Sequence, residues 1–207
     1  RDAGVPLVMR YRRTSVGSLL PDRWMLPESM ADETGVIFAS AFPGMGRMAE
    51  ETDRFYTHQN LVRQLETLRE LQTISNGASP SLHDELAARI ADLEQQIAEL
   101  DYQFDRRFIF RVLNMGHSQF AEFIGARGPN TGVNAACATT THAVALAEDW
   151  IRSGRARRVV VVAGDDVTSG RLVEWVGTGL FASGATTTEG NLRLAALPFD
   201  RRRNGMI

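Results

Sequence analysis

Gly132-Val133-Asn134-Ala135-Ala136-Cys137-Ala138, with the alanine-rich stretch that runs on to Arg152 and the later Val159-Val160-Val161-Val162-Ala163, is the part of the sequence that decides the fold. Gly132 to Ala136 reads as a short strand. Ala138 to Arg152 reads as a helix rich in alanine, with Val144, Leu146, Trp150 and Ile151 among its apolar residues and Ser153-Gly154 as its stop. Val159 to Ala163 is an unbroken β-branched run, which suits a buried parallel strand, because a half-exposed antiparallel strand would alternate with polar residues. Strand, helix and strand in that order predict a right-handed βαβ unit and an α/β fold. Cys137 stands at the first junction.

A thiol at a tight strand-to-helix turn lies near the first unpaired backbone N–H groups of the helix, where the positive end of the macrodipole favours a thiolate. Ala135, Ala136 and Ala138 are small enough to leave room for an acyl chain, and the N–H of Cys137 can donate to a thioester oxyanion. Against this, free cysteine is among the most buried residue types and often only fills space. One cysteine cannot make an internal disulfide, and with four scattered histidines it forms no zinc-spacing pattern. The thiol is therefore either plain core or a nucleophile, and the local residues leave both readings open.

On the N-terminal side, Gly125-Ala126-Arg127-Gly128-Pro129-Asn130 forces a turn after a helical pattern over Phe108 to Ile124 that runs through Ile109, Val112, Leu113, Phe120 and Phe123. Phe55 to Asp101 has a different character. Leu61, Leu65 and Leu68, then Leu82, Leu86, Leu93, Ile97 and Leu100, give a narrow apolar stripe on two long polar helices. Asn76-Gly77-Ala78-Ser79-Pro80-Ser81 supplies the stop between them, with Ser81 expected as the N-cap of the second. This predicts an antiparallel helical hairpin, read as a projecting structural or dimer-contact element. Gly35-Val36-Ile37-Phe38-Ala39-Ser40, ahead of Pro43-Gly44, reads as a central strand buried on both faces. The first thirty residues show no sustained period and read as loop and short elements.

The chain has 207 residues, 43% of them apolar, enough for one sizeable domain with a core. Lys plus Arg number 23 against 25 Asp plus Glu, so no charge excess points to a nucleic-acid partner. Even Val159 to Ala163, a continuous apolar run that no other exceeds, is far below the roughly eighteen residues that cross a bilayer. No secretory signal pattern is visible at Arg1-Asp2-Ala3-Gly4, which makes a cytoplasmic location the default expectation.

Three weaker patterns fall away. Gly44-Met45-Gly46-Arg47-Met48-Ala49 fits G-x-G-x-x-A between a strand and a helix, but the helical hairpin stands where the next strand and its ribose-binding acid should follow. Gly116-His117-Ser118 begins like a nucleophile elbow, yet Phe120 takes the final glycine position. Asp165-Asp166 has no third ligand nearby and reads as a solvated loop, so no metal site is expected.

Asn114-Met115, Gly128-Pro129-Asn130, Ala136-Cys137-Ala138 and Ile151-Arg152-Ser153-Gly154 ahead of the Val159 strand resemble, in order and spacing, the β-ketoacyl synthase pattern. Pro198-Phe199-Asp200-Arg201-Arg202-Arg203-Asn204-Gly205 resembles that family's P-F-D-x-x-R-x-G segment, and Gly35 to Gly44 resembles the strand and loop lining its acyl pocket. The resemblance implies a thiolase-like layered α-β-α-β-α fold, here an incomplete half. Its core would start at 1–54 and resume over 104–207 around the nucleophile, with the hairpin inserted at 55–103. It also implies a homodimer and a catalytic Cys137 that accepts an acyl group. A decarboxylating malonyl thioester then condenses with that group in fatty-acid or polyketide synthesis. Phe42 falls where the family lines its acyl pocket, as either a substrate-binding residue or an ordinary core aromatic. No cofactor is bound directly on this reading; an acyl carrier protein is the partner, and its phosphopantetheine arm brings both substrates.

The family also carries histidines in H-G-T and G-H-x-x-G-A motifs, and neither motif occurs here. Both ends are accordingly expected to be cut inside the domain, the remaining half of the ketosynthase supplying those groups. His117 and His142 read as satisfied core or dimer-contact residues rather than substitutes. The rival readings are a thiolase-like transferase using coenzyme A thioesters, a non-catalytic ketosynthase-like partner that only shapes a dimer, and an interaction module built on the hairpin.

Overall fold

The structure is a computed structural model that describes residues 4–75, 79–168, 170 and 172–206. In chain order the elements are β1 (Val8–Arg13), β2 (Leu19–Met25), α1 (Glu28–Ala31), β3 (Thr34–Ala39), α2 (Met45–Ile74), α3 (Pro80–Leu100), α4 (Phe108–Val112), α5 (Gly116–Ile124), β4 (Asn130–Val133), α6 (Thr139–Arg152), β5 (Arg158–Ala163), α7 (Leu172–Ala182) and α8 (Leu192–Ala195). They fall into two compact units: one holds the described residues up to Gly46 together with Ile109 onward, the other is Arg47–Phe108. The chain is thus a mixed α/β protein with one small parallel and one small antiparallel sheet.

The first unit is organised around β3, the centre of a parallel sheet of order β4-β3-β5. Side chains alternate across a strand, and here each side meets a helix. Ile37 and Ala39 pack with Ala143, Ala147 and Trp150 of α6. Val36 and Phe38 pack with Phe120, Ala121 and Ile124 of α5. An apolar run without polar alternation is what such a doubly covered strand requires. Alanines on α6 let the helix approach the sheet closely, and Gly35 matters for the same reason, since a Cβ there would lie 3.2 Å from the Trp150 ring. Gly128 is held still more tightly. A Cβ on it would stand 2.5 Å from the carbonyl oxygen of Thr34, at the turn where Pro129 accepts the N–H of Val36 at 2.9 Å.

Several local readings shift. The first thirty residues, expected as loop and short elements, contain the antiparallel hairpin β1–β2, with a register irregularity between Arg10 and Tyr11. Its strands are largely exposed, so no apolar alternation marked them. β4 begins at Asn130 and ends at Val133, and Asn134 to Ala136 belong to a turn rather than a strand. β4 and β5 are not neighbours, because β3 pairs between them, and β5 is half-buried rather than fully covered. The helical pattern over Phe108 to Ile124 is broken into α4 and α5 at Asn114, whose φ is 51°.

In the second unit α2 and α3 pack through Leu61, Leu65 and Leu68 against Ile90, Leu93 and Ile97. Arg69 pairs with Glu94 at 2.6 Å. The cap of α3 is Ser79 rather than Ser81, because Pro80 occupies the first turn, where a missing N–H costs nothing. Asn76, Gly77 and Ala78 of the expected stop lie outside the described residues, as do Arg1 to Ala3 of the N-terminus. α2 begins at Met45, ten residues ahead of Phe55, so Gly46 and Ala49 lie within a helix. Buried Glu51 accepts the Tyr102 hydroxyl at 2.9 Å. Burial first, and then that carboxylate, push the Tyr102 phenol up.

Among the described residues no helix is long and apolar enough to cross a membrane, and no group of His, Cys, Asp and Glu is placed to hold a metal ion.

Candidate functional site

Cys137 is exposed, in the turn between β4 and α6. The turn is irregular because Ala136 takes a φ of 49°, a left-handed conformation that costs a residue with a Cβ about 1–3 kcal/mol. Neighbouring side chains hold it there. The Asn134 side-chain oxygen accepts the N–H of Ala136 at 3.0 Å. Thr139, buried at the start of α6, accepts the N–H of Ala135 at 2.8 Å through its hydroxyl oxygen and donates to the carbonyl of Ala136 at 2.6 Å. The N–H groups of Ala138 and Thr139 close onto the carbonyls of Ala135 and Ala136 at 3.0 and 3.1 Å. Cys137 is the residue framed by all these bonds.

The facing wall is the loop Ser40-Ala41-Phe42 at the end of β3. Asp165, just past β5, accepts three hydrogen bonds from it: the Ser40 hydroxyl at 2.5 Å, the Ala41 N–H at 2.9 Å and the Phe42 N–H at 3.0 Å. Desolvation works to raise the Asp165 pKa, but these three donors outweigh it and hold the carboxyl below the usual range. Asn134 meets the same loop from the other side, its amide donating to the Ala41 carbonyl at 3.0 Å. One side chain therefore bonds both the loop and the residue before Cys137.

Between turn and loop lies a cavity of about 440 Å³ lined by Ala39, Ala41, Phe42, Cys137, Leu180 and Met206 among others. Met206 arrives because its N–H and carbonyl bond Ala185 and Thr187 at 2.8 and 2.7 Å. Cys137 and Phe42, far apart in sequence, thus line one cavity whose walls are mainly small or apolar. A sulfur nucleophile at such a cavity can attack a carbonyl that carries an apolar tail.

The remaining residues singled out from the sequence lie elsewhere. The ring of His117 is half-buried and hydrogen-bonded to the Asn130 side chain at 2.7 Å, which accounts for it structurally. His142 is on the exposed side of α6 and is not core. Asp165 lies exposed in the loop past β5, as expected, and in addition anchors the cavity wall. Asn134, Thr139, Leu180 and Met206 were not anticipated at the site. Only Asn134, a side chain suited to bonding the backbone two residues on, carried a local hint.

A family model described as Beta-ketoacyl synthase, N-terminal domain, matches residues 84–207, more than half of the chain. Nodulation protein E of Rhizobium leguminosarum bv. trifolii is similar over 55 residues, at 49% identity. That stretch is 26% of this chain and 14% of that protein.

Proposed function

Because the chain belongs to the β-ketoacyl synthase family, through that family's N-terminal domain, we propose that Cys137 is the acyl acceptor of a condensing enzyme of fatty-acid or polyketide synthesis. The observation that carries the reading is that Cys137 is exposed and lines a cavity with mainly small or apolar walls. The sulfur attacks the carbonyl carbon of an acyl thioester, and the tetrahedral intermediate expels the carrier thiol, which takes up the proton released from Cys137. The acyl chain then lies along Ala39, Ala41 and Phe42, where Phe42 limits its length. The donor is the phosphopantetheine arm of an acyl carrier protein.

On this reading the β4-β3-β5 sheet with α5 and α6 is part of a thiolase-like layered α-β-α-β-α fold, and residues 55–103 are an insertion in it. The enzyme works as a cytoplasmic homodimer. Decarboxylation of the extender and condensation draw on the family's two histidine motifs, which these 207 residues do not contain. Acyl transfer to Cys137 is therefore the step to assay with this chain.

The test is incubation with an acyl-phosphopantetheine thioester or a cerulenin-like epoxide, followed by intact-mass and peptide mapping against Cys137→Ala. Stoichiometric labelling at Cys137, faster than that of a free cysteine at the same pH, is expected. An unlabelled, folded protein would sink the reading.

A further inference from the structure

The loop Ser40-Ala41-Phe42 carries its backbone hydrogen bonds almost without exception on named partners. The Ser40 N–H donates to the Val133 carbonyl at 3.3 Å, and the Phe42 carbonyl accepts the N–H of Met45 at 3.3 Å. The Ala41 and Phe42 N–H groups donate to Asp165, and the Ala41 carbonyl accepts from Asn134. Two of these partners are side chains, Asp165 and Asn134, and the second also accepts the Ala136 N–H. Without Asp165, the Ser40 hydroxyl and two adjacent backbone donors would have to find water or turn away. Either change moves the backbone that carries the Phe42 ring, and with it one wall of the cavity at Cys137.

We infer that Asp165 is a positioning residue that sets which acyl groups reach Cys137, by fixing the Ser40–Phe42 backbone and so the place of the Phe42 ring. Asn134 ties that wall to the turn at Cys137, so that wall and nucleophile keep one spacing. Asp165 itself borders the cavity, but in this role it acts through the loop that carries Phe42. Its effect is therefore on selectivity among ligands of different length. The inference rests on the reading of Cys137 as the acyl acceptor and adds to it the residue that shapes the pocket.

The test measures alkylation of Cys137 in the full chain by N-methyl- and N-octylmaleimide, and separately its acylation by a short and a long acyl-phosphopantetheine thioester. Wild type, Asp165→Ala and Asp165→Asn are compared, each checked for folding by circular dichroism and thermal unfolding. The wild type is expected to differ from a free cysteine in its octyl-to-methyl rate ratio. Asp165→Ala should move that ratio about tenfold toward the free-thiol value. Asp165→Asn keeps one acceptor oxygen, enough for the Ser40 hydroxyl and the Phe42 N–H, but sets an NH2 against the Ala41 N–H, so its ratio should fall between wild type and Asp165→Ala. Equal fractional changes with both reagents in Asp165→Ala would overturn the inference, since they report a general structural loss. So would a ratio that stays within about twofold of wild type, or a wild type as unselective as free cysteine. If thioesters fail to acylate any variant while the maleimide ratios shift as stated, the acyl-acceptor reading falls and the positioning role of Asp165 stands.

Discussion

The hydroxyl oxygen of Thr139 lies 2.8 Å from the amide nitrogen of Ala135, tying the first residue of α6 back across Cys137. The same hydroxyl donates to Ala136, so one buried group satisfies both a donor and an acceptor in the turn. Thr139→Val keeps the shape and removes both bonds. It should cost about 0.5–1.5 kcal/mol, the net worth of a typical hydrogen bond, since the Ala136 carbonyl keeps the Thr139 N–H, and slow alkylation of Cys137. Thr139→Ser should recover most of both. Urea unfolding and iodoacetamide kinetics on the three proteins check this.

Gly128 abuts the backbone of Thr34, not a flexible side chain, so an added methyl group has nowhere to go. Gly128→Ala should destabilise the protein by about 1–3 kcal/mol through forced displacement at the β3–β4 connection. Equilibrium unfolding measures it, and a loss below about 0.5 kcal/mol would mean that the turn relaxes freely.

Asp165 has a carboxyl held below its ordinary value of 3.8 by its loop donors. A depressed folded-state pKa contributes stability that is fully present above the unfolded value and is lost as pH falls through the folded one. The stability difference between wild type and Asp165→Asn should therefore be flat from about pH 8 to about pH 5 and shrink below about pH 4. Denaturant titrations of both proteins across that range give the curve. Glu28, Asp32 and Asp200 are lowered by their arginine partners and add acid sensitivity of the same sign to both proteins, which cancels in the difference.

Leu93 is nearly fully buried between α2 and α3, with Leu65 and Ile90 beside it. Leu93→Ala should weaken that unit by about 2–4 kcal/mol, lost transfer energy plus a residual cavity. Hydrogen exchange read at amides over 61–97 should speed up by the corresponding factor.

The strand over Gly35 to Ser40 and the helix after Cys137 were legible in the sequence, because both are continuous patterns set by burial against neighbours close in space. The β1–β2 hairpin was not: its strands are exposed, and exposure leaves no apolar period to read. The break at Asn114 was hidden because α4 and α5 keep the apolar spacing on either side of it.

At the site, the sequence by itself determined the nucleophile candidate and the pattern around it. A cysteine among alanines at a strand-to-helix junction is a local feature, and local features survive in the order of residues. Tertiary structure alone decided what faces that cysteine. Asp165 lies more than a hundred residues from the loop it anchors, and Met206 and Leu180 reach the same cavity from separate segments. The parallel pairing of β3 with β4 and β5 brings the ends of those strands side by side. Ser40, Asn134 and Asp165 meet there because each follows the end of one of the strands, a relation that exists only once the sheet has formed.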